Sequence, residues 1–498
     1  MLKDFRLPGQ LHVVGEVDFL RMARLNINRE VELVNDLLPA TRLWHKKIFL
    51  QKRKVYRYLF LQIRKSRTQL MKEIFKTIIT DWQRALPRSD VRQRNLEVPL
   101  DSGKIVSLVG PRRCGKTFYL FQLMNTLFSR GEGSKIVYIN FEDERLDLTS
   151  AQLHLILDAY YELYPENYGK ALYLFFDEIQ EIEGWEKFVR RLYDTVTRNI
   201  FLTGSSAKML GKEIAASLRG RNISYNLLPL SFEEYCKFQN LHVAEVYSTQ
   251  AKAVFKSQFE KYLRFGGYPE TVFMEGELIQ RTLQSYFDVM LFRDIVERHQ
   301  ISNALVLKHF LKKVMNNVSQ SLSVHKFYNE LKSQGISISK NVIYEYLDYG
   351  IDCFLLFVLF PYEPSIVRQQ VRARKAYAVD TGLVNAVTFR YSEEKGKLLE
   401  NLVFLQLIRE GNTVHYLNDK HECDFVVQNN QVITQAIQVC LALNDEATRQ
   451  REIRGLLHAA KRFDLQEACI LTLDEEDEIE VEGKKIIVRP CWKWLLAQ

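Results

Sequence analysis

Residues 108–117 read LVGPRRCGKT. From Gly110 the run is Gly110, Pro111, Arg112, Arg113, Cys114, Gly115, Lys116 and Thr117, the spacing G-x-x-x-x-G-K-[ST] of a phosphate-binding loop. Each residue type has a physical task there. The glycines let the backbone turn so that its N–H groups face phosphate oxygens. The Lys116 ammonium supplies positive charge at the β- and γ-phosphates, and the Thr117 hydroxyl is placed to ligate Mg2+. A helix opening at the end of the loop would aim its positive dipole end at the same anion.

A second set lies about 60 residues on. Asp177 and Glu178 follow the apolar run LYLFF, as at the C-terminal end of a buried strand. There Asp177 would hold Mg2+ and Glu178 would act as general base toward an attacking water. A helix cap is the plainer reading of the pair, but the loop upstream favours the metal-and-base reading. Thr203-Gly204-Ser205-Ser206 ends another expected strand, where Ser205 or Ser206 would sense the γ-phosphate; a Gly-Ser turn after a strand is also common. Arg219 and Arg221, in SLRGRNISY, are candidates to stabilise transition-state charge from the same or a neighbouring subunit, or else a solvated pair.

The elements that must position these groups follow from the pattern. Expected strands at 105–110, 135–143, 171–178, 199–206 and 223–231 alternate with helical stretches at 116–130 and 184–196. Strands alternating with helices predict an α/β fold with a parallel sheet. A new helix is expected to start at Met71, followed by a polar linker over 87–104. After Ser231 the pattern turns helical, with Gly266, Gly267 and Pro269 as punctuation. From Ala304 to about Val387 it predicts three helices and a β-ribbon, and from Lys397 a last α/β unit. Within 321–357, a helix, a turn at Gly335, a helix capped by Ser339 and a strand, with 374–382 to complete the wing, make a winged helix-turn-helix pattern.

Composition bounds the rest. A chain of 498 residues with 47% hydrophobic and 26% charged residues has material for three or four cored domains. Apolar runs such as Phe354–Phe360 fall well short of the roughly 18 residues of a spanning helix, and no signal segment opens the chain. A cytoplasmic location is the expectation. Seven cysteines without a C-x-x-C pair argue against a disulfide framework or a structural zinc site. The net charge of +8 is concentrated: residues 42–72 hold eleven Lys or Arg and no acid, which leaves −3 for the remainder. This segment reads as a solvated helix or as a contact for nucleic acid or an anionic membrane. The expected recognition helix opens with Lys340 and Asn341 and then turns acidic at Glu345 and Asp348, whereas the strip 368–377 is basic. That leaves both DNA contact and protein packing open for the winged-helix region.

GPRRCGKT, YINFEDERL, FFDEIQEIEGWEKFVRRLYD, LTGSSAKML, SLRGRNISYNLLPLSFEEY and FGGYPETV together resemble a family of archaeal and bacterial AAA-type P-loop ATPases that carry a C-terminal domain of unknown function. The likeness covers about Met71 to Gln498. It implies a P-loop NTPase sheet of the additional-strand type, a winged-helix region and a restriction-endonuclease-like tail, with ATP as the nucleotide. The expected divisions are a basic helical extension (1–70), the ATPase domain (71–235), a helical lid (236–303), a winged-helix-like domain (304–390) and the tail (391–498). In the tail, Glu400 and Asp424 match the first two positions of the nuclease-like pattern. The acid-x-lysine pair is replaced by Gln438 and Cys440, so phosphodiester hydrolysis is not expected.

The resulting expectation is an ATP-binding and ATP-hydrolysing switch or motor that rearranges its own C-terminal modules or a bound partner. The alternatives are a nucleic-acid-binding protein with a regulatory ATP site and a degenerate nuclease tail, and a nucleotide-stabilised interaction scaffold. Candidate partners are DNA or RNA through residues 42–72 and the winged-helix region, an unidentified protein, and further copies of the chain.

Overall fold

Five runs of five or six residues, the first four largely buried and the fifth partly exposed, form the central sheet: β1 (Ile105–Val109), β2 (Ile136–Asn140), β3 (Tyr173–Asp177), β4 (Asn199–Gly204) and β5 (Asn222–Asn226). In this computed structural model the described residues are 65–206, 218, 220–241, 248–388 and 395–496. All pairings within the sheet are parallel, in the order β2-β3-β4-β1-β5. β4 therefore lies between the strand that leads into the phosphate loop and the strand that ends in Asp177, which is the additional-strand arrangement. Helix α2 (Lys116–Ser129) follows the loop and buries Tyr119, Leu120, Phe121, Leu123, Met124 and Leu127. Each such side chain contributes about 1.5–3 kcal/mol when fully removed from water.

The described residues divide into two units. The smaller holds 65–77 and 154–163, including helix α3 (Leu155–Leu163), and there Lys76 pairs with Glu162 at 2.9 Å. Residues 65–84 (α1) are helical, so the helix expected to begin at Met71 is already formed at Lys65. The basic stretch 42–72 lies outside the described residues except for 65–72. In the larger unit, helix α4 (Trp185–Thr195) precedes β4.

Beyond β5 come α5 (Phe232–Phe238), α6 (Thr249–Phe265) and α7 (Glu277–Val289), the last running into a π-helical stretch, Met290–Glu297. Then follow α8 (Ala304–Asn316), β6 (Ser321–Leu322), α9 (Val324–Ser333), α10 (Lys340–Asp352), β7 (Leu356–Leu359), α11 (Ile366–Val371), β8 (Arg374–Ala378) and α12 (Thr381–Val387). The expected cap of α10 is present, since Ser339 accepts from the Val342 amide. The segment is richer than three helices and a ribbon, because β6, β8 and β7 form an antiparallel three-stranded sheet and two short helices flank β8. The C-terminal part comprises α13 (Lys395–Arg409), β9 (Thr413–Asn418), β10 (Glu422–Asn429), β11 (Val432–Val439), α14 (Glu446–Arg462), β12 (Glu467–Thr472), β13 (Asp477–Val481), β14 (Lys484–Pro490) and α15 (Cys491–Leu496). Its six strands follow the order β13-β14-β12-β11-β10-β9. One apolar cluster runs from Leu228 to Leu496, with Tyr377 stacked on Phe404 at 4.1 Å, so the segments after the ATPase sheet share a core. Among the described residues no helix is long and apolar enough to cross a membrane.

One buried ion pair ties the linker before β1 to the helix after β5. Arg94 Nε donates to Glu234 Oε1 at 2.8 Å, and both side chains are almost fully buried. Glu234 also closes a capping box with Ser231 at the start of α5. Burial alone would raise the Glu234 pKa, but the Arg94 guanidinium outweighs it and holds the carboxyl at about 2. The folded pKa is depressed, so the charge contributes stability that is complete above the unfolded value near 4.5 and lost as pH falls toward 2. The shift corresponds to about 3 kcal/mol. Glu234→Gln is therefore expected to lower the Tm clearly at pH 7, with the gap to the unaltered chain narrowing as pH drops from about 4.5 to about 3. Differential scanning calorimetry across that range checks this; a constant gap would deny the pair its electrostatic role.

Candidate nucleotide-binding site

Parallel pairing brings the C-terminal ends of β1, β4 and β3 side by side. Val109 is level with Gly204, and Leu202 with Phe176, so the loop after β1, Ser205 after β4 and Asp177 at the end of β3 open at one edge. The loop has no room for a side chain at its first position: a Cβ on Gly110 would lie 2.0 Å from the Leu227 carbonyl oxygen. Gly115 sits at φ 98°, in the left-handed region that favours glycine, and begins α2 with no side-chain cap and no acid in the first turn. An uncapped start of a 14-residue helix, framed by the loop, has the donor chemistry a phosphate requires.

Asp177 is the centre of the polar network. Its Oδ2 accepts from Thr117 Oγ1 at 2.7 Å and from the Tyr138 hydroxyl at 2.8 Å. Its Oδ1 accepts from Thr203 Oγ1, and that same oxygen accepts from the Glu178 amide at 2.8 Å. Burial and the neighbouring Glu178 charge push the Asp177 pKa up, against the three hydroxyls that stabilise the carboxylate. Glu178 adopts φ 52°, a left-handed conformation that is uncommon for a residue with a side chain and concentrates at functional sites. Its carboxylate lies 3.4 Å from Lys116 Nζ and accepts from Gln180 Nε2. Burial works to raise the Glu178 pKa, and Lys116 outweighs it, leaving the group ionised at neutral pH. Lys116 Nζ also donates to the carbonyls of Gly110 and Pro111, each at 3.1 Å. Burial disfavours the lysine's charge, but Glu178 leads the interactions that hold its pKa above the ordinary value.

The middle of the loop is tied outward. Arg112 Nε lies 2.8 and 2.9 Å from the two carboxylate oxygens of Asp294, and its Nη1 donates to Glu142 at 2.9 Å. The Arg113 guanidinium lies 5.8 Å from the Tyr286 ring centre. Cys114 is buried, and its carbonyl accepts from Arg94 Nη1 at 2.9 Å. The side chains of Arg112 and Arg113 thus face the helical segment after the sheet.

Among the other candidates, the Ser205 hydroxyl is fully buried with no hydrogen-bond partner among the described residues. A buried orphan donor beside the loop fits a phosphate oxygen. Ser206 Oγ instead donates to Asp352 at 2.9 Å. Arg221 does not reach its own phosphate loop. Its carbonyl accepts from the Ile105 amide, which places it at the opposite end of β1, and its guanidinium pairs with Asp194 at 3.1 Å. Arg219 lies outside the described residues.

The tail residues also come together. Glu400 on α13 and Asp424 on β10 flank Lys375 of β8, at 3.2 and 3.0 Å from its Nζ, and Glu422 lies at 2.8 Å. A lysine therefore does meet these carboxylates, but it comes from the preceding sheet and not from the position of Cys440. Gln438 bridges the Asp424 amide and Glu452. Burial and the Asp424 charge push the Glu400 pKa up. The roles of Lys375, Arg94, Asp294 and Thr203 in these networks were not read from the sequence. Thr203 carried a signal, since it closes the strand beside β3; the partners of the others lie too far along the chain for any spacing rule.

The strand order, the loop and the Asp177 network define an AAA-type P-loop ATPase, and comparison with known proteins agrees. A family described as "AAA domain" matches residues 102–236, and a "Domain of unknown function" matches 256–394. The uncharacterized protein MJ1544 of Methanocaldococcus jannaschii is 38% identical over 442 residues, covering 86% of this chain and 96% of that protein. The chain belongs to the family of that archaeal protein. An uncharacterized protein of Haemophilus influenzae is 29% identical over 401 residues, covering 79% of this chain and 94% of its own. Among solved structures, the Walker-type ATPase PABY2304 of Pyrococcus abyssi has a TM-score of 0.37 at 14% identity, covering 57% of this chain and 90% of its own. The Aeropyrum pernix ORC1 protein, solved in complex with DNA, has a TM-score of 0.26 at 12% identity, covering 61% and 90%.

Thr203 joins both halves of the Asp177–Glu178 pair, so Thr203→Val should leave a buried carboxylate oxygen without its donor. A lost hydrogen bond to a charged group is worth about 1.5–3 kcal/mol, or roughly tenfold and more in rate where it acts on the transition state. Steady-state ATP turnover is expected to fall by about that factor while the chain stays folded by circular dichroism. Unchanged turnover would remove Thr203 from the working site.

Proposed function

We propose that the chain is an ATP-hydrolysing switch whose turnover rearranges its C-terminal modules or a bound partner. The observation that carries this reading is the convergence of Lys116, Thr117, Asp177, Glu178 and the unpartnered Ser205 hydroxyl at one edge of a parallel sheet. In the proposed mechanism Lys116 leaves the loop carbonyls to bind the β- and γ-phosphates of ATP, and the loop amides with the start of α2 take the remaining phosphate oxygens. Thr117 and Asp177 would hold Mg2+, which when bound neutralises developing phosphate charge. Glu178, kept ionised beside Lys116, accepts a proton from the attacking water. Ser205 donates to the γ-phosphate. The arginines at 112 and 113 shape the loop through its backbone, and their side chains hold it to the segment beyond.

The tail is proposed to serve docking. Lys375 already neutralises the carboxylates of Glu400 and Asp424, which supports a retained fold over a phosphodiester-cleaving one. The winged-helix reading of 304–390 is supported by the order of α8, β6, α9, α10, β7 and β8 and their antiparallel sheet.

Two variants separate binding from chemistry. Lys116→Ala should lose most Mg-ATP affinity, measured with a fluorescent ATP analogue, and undiminished affinity would sink the phosphate-loop reading. Glu178→Gln should keep that affinity and turn over about 10²-fold more slowly, the size of a lost general base.

The position of Arg221 at the far end of the sheet supports a role for that residue only toward a neighbouring copy. If Arg219 or Arg221 completes a neighbour's site, activity per chain should rise with protein concentration. Mixing Arg219→Ala/Arg221→Ala chains with Lys116→Ala chains should then restore turnover that neither shows alone. Absent rescue together with concentration-independent turnover would exclude a shared site.

A further inference from the structure

Two buried carboxylates outside the phosphate loop, Asp294 and Asp352, are held by a residue of the loop, Arg112, and by Ser206 after β4, and both lead to helix α10. Asp294 is 2% exposed and sits in the π-helical stretch Met290–Glu297. Such stretches are rare and frequently lie at functional sites. Both its oxygens face Arg112 Nε, and Arg112 follows Pro111, whose carbonyl holds Lys116. The same helical stretch continues to His299, whose ring stacks on Tyr349 of α10 with centres 3.9 Å apart and planes at 16°. From the other wall of the site, Ser206, next to the orphan hydroxyl of Ser205, donates to Asp352 at 2.9 Å. Asp352 is the last residue of α10 and is buried. A carboxylate there meets the negative end of the helix dipole, an arrangement that stability alone disfavours by about 0.3–1 kcal/mol. Tyr349 and Asp352 are three residues apart and so share one face of α10.

We propose that Asp294 and Asp352 are positioning residues of the ATP site, acting through Arg112 and Ser206, and that they make helix α10 the element that reads its phosphate state. The proposal rests on the reading of the loop as an ATP site. Movement of Lys116 from the Gly110 and Pro111 carbonyls to phosphate changes the peptide next to Arg112. A phosphate oxygen at Ser205 likewise draws on the residue next to Ser206. Both changes reach the same face of one helix, so the two contacts act together and not as independent anchors.

The test uses the full chain with Asp294→Asn and Asp352→Asn, which keep shape and remove charge. The fluorescent ATP analogue should bind within about threefold of the parent affinity, while kcat falls by roughly tenfold in each, the size of a coupling between contacting groups. The double variant should fall short of the product of the single effects. In a Glu178→Gln background, which holds ATP without turnover, Mg-ATP should change hydrogen exchange of residues 340–352, and either aspartate variant should cut that change by half or more. Arg112→Gln and Ser206→Ala remove the same contacts from the other side, so matching results separate a lost contact from a misfolded variant. Unchanged kcat, or an intact exchange response in both aspartate variants, overturns the proposal while leaving the ATP site standing. Failure of the unsubstituted chain to bind the analogue would instead overturn the ATP reading, and this proposal with it.

Discussion

A guanidinium taken out of water needs its N–H groups satisfied and its charge balanced, and Arg94 meets both conditions with groups from three places in the chain. Its Nη1 bonds the Cys114 carbonyl in the phosphate loop, its Nη2 the Leu228 carbonyl beyond β5, and its Nε and Nη2 the Glu234 carboxylate at the start of α5. Gln122 of α2 bonds its backbone amide. Removing either member of such a buried pair strands the other charge, at about 3–5 kcal/mol. The loop is therefore held from behind by a charge that cannot be relocated cheaply. That rigidity leaves its front face free to exchange partners: Lys116 is bound there to carbonyls and to Glu178, groups that can give way to phosphate without disturbing the Arg94 anchor.

The loop, the Asp177–Glu178 pair and the five strands were legible because each depends on local chemistry. A phosphate loop needs glycine and lysine at fixed spacing, and a buried parallel strand needs a short unbroken apolar run. The Ser339 cap was legible for the same reason, as its bond spans three residues. What the sequence hid are contacts made across the fold. Arg94 meets Glu234 across 140 positions, Arg112 meets Asp294 across 182, and Ser206 meets Asp352 across 146. Arg94 lies in a stretch whose polarity reads as a solvated linker, and only the packing of α5 takes it out of water. Helix is expected at 65–70 as part of the basic extension, but the break placed at Met71 is absent, because the helix runs through 65–84 with no stop or start there.

Lys375 teaches the same lesson from the tail. Read along the chain, Gln438 and Cys440 leave Glu400 and Asp424 without a cation. In space β8 carries one into the cluster, and Tyr377 two residues on donates to Glu400 as well. Alternate residues of a strand share a face, so β8 offers an ammonium and a phenol to the same carboxylates. The phenol-bearing ring then stacks on Phe404 of α13. The three-stranded sheet and the tail are thereby joined by charge and by apolar contact at once.

This joining constrains how a change at the phosphate loop can travel. Elements that share one core from Leu228 to Leu496 do not slide past one another piecemeal, because close-packed interiors rearrange between discrete states. Three of the polar contacts that reach this body from the nucleotide side start at the loop or beside it: Arg94, which also bonds the loop, to Glu234, Arg112 to Asp294, and Ser206 to Asp352. The first lies behind the loop and holds through its backbone carbonyl, so it resists motion. The other two involve side chains beside groups that must change partners when phosphate binds. A rigid anchor with two contacts that can change is the arrangement the proposed switch requires, and with the tail joined to the three-stranded sheet through Lys375, a movement of α10 would carry both.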